Sequence, residues 1–174
     1  MKLTTLCYLE KDGCYLMLLR DKKENDENRG KWIGVGGKFE PGESPEDCLI
    51  REVREETGLV LQSARFRGIV TFVSDLYGTE YMHLFTSPDF SGEPVPCEEG
   101  ELAWIPLSEI LSLDLWEGDR LFLKLLAEDA GFFSLKLVYE GDRLVSSVLK
   151  RYDGAAGRPE SPSEEGLDTA ALAE

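Results

Sequence analysis

The 174-residue chain is 42% hydrophobic, 10% aromatic and 30% charged, the make-up of a globular domain with a full core. Its net charge is −15, of which residues 153–174, with six acids and one base, contribute −5 and residues 1–152 contribute −10. A body this acidic excludes capture of nucleic-acid polymer through a broad basic surface, so an anionic ligand needs a local basic patch or a bridging cation.

No window approaches the roughly 20 apolar residues of a membrane span. The start, MKLTTLCYLEKDG, has no apolar run of signal-peptide length. A cytoplasmic protein with no membrane partner is expected. Cys7, Cys14, Cys48 and Cys97 form no CxxC pair and have no nearby histidine, as expected of buried or half-buried thiols in a reducing compartment. The sequence leaves the oligomeric state open.

In chain order, Leu3 to Glu10 and Cys14 to Arg20 read as strands joined at Lys11-Asp12-Gly13, a hairpin signal. Residues 21–31, DKKENDENRGK, hold no apolar residue and read as a solvated loop before the strand-like Trp32 to Val35. Ser44-Pro45-Glu46-Asp47 predicts a helix start, with Ser44 as cap, Pro45 in the first turn and Asp47 reaching back. Gly58 predicts its stop. Phe66 to Ser74 and Tyr81 to Thr86 read as strands linked by DLYGTE. Leu102 to Leu107 reads as a short strand, followed by helical turns over Ser108 to Leu113. Asp119 to Asp129 has a helical apolar repeat, and Phe133 to Tyr139 pairs with Arg143 to Lys150 about Glu140-Gly141-Asp142. From Asp153 the composition turns to Gly, Ala, Pro, Ser and acids. Residues 1–152 are therefore expected to be the domain and 153–174 a flexible acidic tail, with a short helix allowed near Asp168 to Ala173. This irregular mixture predicts an α/β fold with a mixed sheet and helices on its faces.

The chemistry concentrates in Gly34 to Leu59, GVGGKFEPGESPEDCLIREVREETGL. At 100° per residue, Glu52, Glu55 and Glu56 fall within about 100° of one another on the predicted helix, beside an apolar edge of Leu49, Ile50 and Val53. Carboxylates at this spacing repel one another. A solvated acidic face is the plain reading of such a triplet, but here it follows a glycine-rich loop of the kind that lets backbone approach phosphate or metal. Mg²⁺, or Mn²⁺ in its place, would relieve the repulsion and bind through a few carboxylates plus substrate phosphates.

Gly37, Glu43, Arg51-Glu52-Val53, Glu55-Glu56 and Gly58-Leu59 match the Nudix hydrolase box position for position. The segments KWIGVGGKFEPGE, LWEGDRLFLKLL and FFSLKLVYEGDRLV resemble the MutT-type branch that acts on 8-oxo-dGTP, bacterial mutator proteins and the mammalian oxidised-purine triphosphatase among them. The resemblance covers residues 3–150. It implies an α/β/α sandwich and metal-dependent hydrolysis of a nucleoside triphosphate to monophosphate and pyrophosphate. Metal ligation is implied for Glu52, Glu55 and Glu56, with the Gly36 carbonyl and Glu99, ahead of Trp104, as further ligands. Glu52 or Glu55 is the implied proton acceptor. Gly37, Glu43, Arg51 and Gly58 are expected to be structural, Glu43 and Arg51 as a salt bridge between loop and helix.

Arg20 and Lys38 are candidates for the phosphates, although a charge at a strand end is often only a surface group. Thr5, Ile33, Phe72 and Trp116 are candidate walls for the base. Asp119 is the candidate acceptor for the N7–H that oxidation gives to guanine, and it also reads as a helix cap. Compared with the mammalian branch, Gly118 stands where an acid is found and Ile33 where an amide is found. His83, alone on its strand, is given no catalytic role. Other substrates remain open: ordinary dNTPs, ADP-ribose, a nucleotide sugar or the triphosphate end of RNA. A non-catalytic nucleotide-binding module is the reading from another class.

Overall fold

The computed structural model describes residues 1–152. The tail expected at 153–174, with its allowed helix, lies outside the described residues. The strands are β1 (Lys2–Lys11), β2 (Cys14–Leu19), β3 (Trp32–Ile33), β4 (Val60–Leu61), β5 (Arg65–Ser74), β6 (Gly78–Ser87), β7 (Phe90–Ser91), β8 (Glu101–Pro106), β9 (Phe133–Glu140) and β10 (Arg143–Arg151). The helices are α1 (Pro45–Thr57) and α2 (Glu117–Ala127), and a 3-10 turn spans Leu107–Ser112.

The main sheet runs β10-β9-β5-β6-β1-β2-β3, with β8 added on β2. It is mixed: β1 pairs with β6, and β5 with β9, in parallel, while the other pairs are antiparallel. Strand alternation gives the sheet two apolar faces. From β1, Leu6 and Tyr8 point to one face, where Leu121, Phe122, Leu125 and Leu126 of α2 cover them. Cys7 and Leu9 point to the other, packed by Leu49 and Val53 of α1. This is the α/β/α sandwich that the resemblance implied.

The β1–β2 hairpin turns at Asp12 (φ 51°) and Gly13 (φ 72°), the left-handed pair that a two-residue hairpin requires. The strands then diverge. β2 leaves after Glu10↔Tyr15 and Lys11↔Cys14, and the glycine-rich loop takes its place along β1. There Cys7 N–H donates to Val35 O at 2.7 Å and Thr5 N–H to Gly37 O at 2.9 Å. Gly36 must be glycine for this fit, since a Cβ would stand 2.0 Å from Thr5 O.

Helix α1 is closed as its residues predict. Ser44 and Asp47 form a reciprocal capping box, Pro45 sits in the first turn, and Gly58 (φ 75°) ends the helix in the left-handed region. Helix α2 differs from expectation. It starts at Glu117, two residues early, and Trp116 precedes it, so Asp119 is its third residue and caps nothing with its side chain. The linker expected at DLYGTE is a tight turn. Ser74 Oγ accepts Leu76 N–H and Tyr77 N–H at 3.1 Å each, and β6 begins at Gly78. The β4–β7 pair was not anticipated. All four cysteines are free thiols, with Cys14 half-buried and the others buried.

Candidate active site

The glycine-rich loop and α1 meet one end of a cavity of about 490 Å³. Val35 and Gly37 carbonyls are used by β1, so the intervening Gly36 faces the other way, and its N–H donates to Glu56 Oε2 at 2.9 Å. Gly37 lies against Glu52, whose carboxylate occupies the space a side chain would need. Glu52 and Glu56, one helical turn apart, line the cavity together with Glu99 from the segment before β8.

Cations hold each of these acids. Arg51 Nη1 is 2.7 Å from Glu52 Oε1. Arg20, at the end of β2, bonds Asp26 at 2.5 Å, contacts Glu99 and lies 3.6 Å from Glu56. Burial raises the Glu52 carboxyl above the usual range. Glu56 is only 6% exposed, and burial pushes it up to about 8 despite the Gly36 N–H and Arg20. Burial would also raise Glu99, but the Lys23 ammonium and Arg20 hold it below the ordinary value. Lys38 lies on the same wall.

Glu55 departs from the expected strip of three. Its side chain is 61% exposed, it borders no part of the cavity, and it touches Arg51 at 3.3 Å. Leu49 and Val53 settle into the core beside Glu52 and Glu56, which leaves Glu55 on the rim; Ile50, expected on the same apolar edge, is instead 52% exposed. Among the described residues, no three acidic, histidine or cysteine side chains stand gathered at metal-binding distance. The donor chemistry nevertheless suits a hard divalent cation: Glu52, Glu56 and Glu99 face one space, and Gly36 is turned toward Glu56.

The expected link between loop and helix is present. Arg51 grips Glu43 twice, at 2.6 and 2.9 Å, and donates to Lys38 O at 3.0 Å. Glu43 is held down to about 2, chiefly by the Arg51 hydrogen bond.

The cavity's far end is a slot. Ile33, Phe72, Met82 and Trp116 line it, with Phe72 and Trp116 edge to face at 6.0 Å. Trp116 Nε1 donates to Asn28 Oδ1 at 2.9 Å, which ties the slot to the polar loop before β3, and Lys31 lies 5.7 Å from its ring centre. Asp119 borders the slot at 7% exposure, and among the described residues no donor reaches its carboxylate. Burial pushes it up to about 8, helped by the charge of Glu80 and opposed by Arg120 and Lys31. A Cβ at position 118 would meet Leu137 Cδ1 at 2.4 Å and Tyr139 Oη at 2.8 Å, so a side chain there requires both neighbours to shift.

Thr5 does not present its hydroxyl to this slot. It lies 3.4 Å from Cys48 Sγ on the α1 side, and strand alternation sends Thr4 to the slot instead. His83 is also on the α1 side of the sheet, its Nδ1 3.0 Å from Thr4 O and its ring near Phe39 and Phe66. Sequence reasoning missed Thr4, Asn28 and Glu80. Glu80 was legible in principle, as alternation carried back from Leu84 through Met82 reaches it.

Residues 3–126 match the NUDIX domain family model. An uncharacterised Nudix hydrolase of Bacillus subtilis is 33% identical over 140 residues, covering 78% of this chain and 85% of that protein. The oxidized purine nucleoside triphosphate hydrolase of Mus musculus is 30% identical over 139 residues, covering 78% of this chain and 88% of its own length. A mutator MutT protein from Bacillus halodurans has a crystal structure that superposes with a TM-score of 0.77 at 27% identity, over 86% of this chain and 97% of that one. With Gly37, Glu52 and Glu56 of the box lining one cavity and residues 3–126 matched, the chain belongs to the Nudix hydrolase family.

Proposed function

We propose that this protein hydrolyses oxidised purine nucleoside triphosphates, 8-oxo-dGTP above all, to the monophosphate and pyrophosphate. Asp119 carries the reading. A buried carboxylate without a donor is costly unless a ligand supplies one. Guanine has a bare acceptor at N7, whereas oxidation at C8 places a hydrogen there. Asp119 beside the Trp116 and Phe72 walls suits the oxidised ring in its ionised form and then repels the ordinary one, whereas the neutral acid that burial favours below about pH 8 can donate to a bare N7. The activity named for the mouse relative supports the same choice.

At the other end, Glu56, Glu99 and the Gly36 carbonyl would hold Mg²⁺ or Mn²⁺. The ion would lower the pKa of the attacking water and neutralise charge on the departing pyrophosphate. Glu52 is the better-placed proton acceptor of the two candidates, because it faces the cavity and burial raises its basicity. Arg20 and Lys38 steady the phosphates, and the Arg51–Glu43 grip keeps the glycine loop in register with α1. An acidic chain with a cavity of about 490 Å³ accommodates a free nucleotide rather than a nucleic-acid polymer.

The reading is tested by incubating the protein with Mg²⁺ and a panel of 8-oxo-dGTP, dGTP, CTP, ADP-ribose and triphosphate-ended RNA, and separating pyrophosphate from orthophosphate. Pyrophosphate released fastest from 8-oxo-dGTP is expected. Faster turnover of any other member overturns the substrate assignment, and no turnover of any member overturns the enzyme.

A further inference from the structure

Glu80 lies in the same cavity and has no role in the chemistry above. It sits on β6, opposite Phe72 of β5 and beside Lys2 of β1, on the sheet face that α2 covers. Thr4 Oγ1 donates to its Oε1 at 2.7 Å, and among the described residues no donor reaches Oε2. Lys2, the nearest cation in register, is drawn to Glu27 instead. The slot walled by Phe72, Met82 and Trp116 therefore has two carboxylates, Glu80 from β6 and Asp119 from α2. Asp119 is buried and Glu80 half-buried, so a ring that covers both acids is unfavourable there unless it brings N–H groups to each.

We propose that Glu80, held by Thr4, is a second base reader of this site and accepts the N1–H and N2–H₂ of a guanine ring. This rests on the oxidised-purine reading, in which Asp119 takes N7–H. Guanine offers N1–H and an N2 hydrogen side by side, and a carboxylate meets such a pair with its two oxygens. Glu80 Oε1 has a second lone pair free beside the one Thr4 occupies. Adenine turns a lone pair at N1 toward the same acid and is repelled. Cytosine has one amino group and no second donor edge. The slot thereby narrows its substrates from oxidised purines to oxidised guanine. Thr4 is a positioning residue, since it acts only by fixing the carboxylate.

The experiment uses full-length protein and monophosphates, which have no diphosphate bond to hydrolyse. Dissociation constants for 8-oxo-dGMP and 8-oxo-dIMP, which differ only in the 2-amino group, are measured by calorimetry on the wild type, Glu80→Gln and Thr4→Val, with melting scans on each. The wild type should bind 8-oxo-dGMP at least about tenfold more tightly than 8-oxo-dIMP, and Glu80→Gln should reduce that ratio to about two or less. A wild-type ratio near one, or an undiminished ratio in Glu80→Gln, overturns the assignment. If Glu80→Gln does not fold, Thr4→Val decides, and an undiminished ratio there has the same consequence. Comparing 8-oxo-dGMP with dGMP checks the parent reading separately. If the wild type binds these two equally, that reading fails, and the dGMP to dIMP ratio then decides the role of Glu80 alone.

Discussion

Gly37 and Glu52 share one volume: a Cβ built on Gly37 would stand 2.4 Å from Cδ of Glu52 and 2.5 Å from each carboxylate oxygen. Carbon atoms in contact need about 3.5 Å. Alanine at 37 must therefore push Glu52 out of the cavity wall. Gly37→Ala should lower kcat/KM by about a hundredfold, the scale of a misplaced reacting group, with the circular dichroism spectrum unchanged. Turnover within twofold of wild type would mean that Glu52 does not act from this position.

The three box glutamates should not be equivalent. Glu56 and Glu52 line the cavity, while Glu55 is exposed on the rim beside Arg51. Glu52→Gln and Glu56→Gln should each cost at least about a hundredfold in kcat, and Glu55→Gln distinctly less. Steady-state rates at saturating Mg²⁺ check the order. A Glu55 variant as damaged as the other two would return the proton-acceptor role to Glu55. Chelation of divalent ions should stop turnover in every active variant while the melting transition persists.

Arg51 joins Glu43, Glu52 and the Lys38 carbonyl through one guanidinium. Lysine cannot reproduce this planar fork. Arg51→Lys should raise the Mg²⁺ concentration for half-maximal rate by about tenfold, in line with the loss of an orienting partner at a metal site. Titration of activity against Mg²⁺ measures it. An unchanged midpoint would limit the grip to fold stability.

Asp119 gives a pH-dependent stability with a defined sign. Its carboxyl is pushed up to about 8 by burial and by Glu80, with Arg120 and Lys31 opposing. In the unfolded chain it ionises near pH 4. Between those values the folded state binds the extra proton, so this group's stability contribution is complete at low pH and is lost as pH rises toward 8. Asp119→Asn removes the loss. Its melting temperature relative to wild type should be more favourable at pH 8.5 than at pH 5, by about 3 °C for each 1 kcal/mol relieved. An equal difference at both pH values would contradict a raised Asp119. The same variant should lose preference for the oxidised base more than it loses turnover.

Helix α1 and its loop were legible in the sequence because their determinants are local. Ser44, Asp47 and Gly58 act within a turn or two, and the spacing from Gly37 to Glu56 is fixed along the chain. The hairpin at Asp12-Gly13 was legible for the same reason. Side-chain direction was harder, because it depends on strand register set far along the chain. Thr5 and Thr4 exchanged roles when β1 took its place beside β6. Glu80 was hidden because Gly78 resembled part of a linker, and its importance comes from Asp119, 39 positions away, across the slot. Glu55 looked equivalent to Glu52 and Glu56 on a projected helix. Only the packing of Leu49 and Val53 turns two of the three inward.

The central claim is selectivity for an oxidised guanine nucleotide, and its most direct test is kcat/KM for 8-oxo-dGTP against dGTP, with Mg²⁺ and pyrophosphate release as readout. At pH 8.5, above the Asp119 value of about 8, a ratio of at least about ten is expected, from one buried acceptor satisfied by N7–H in one case and opposed by a lone pair in the other. A ratio near one would contradict it.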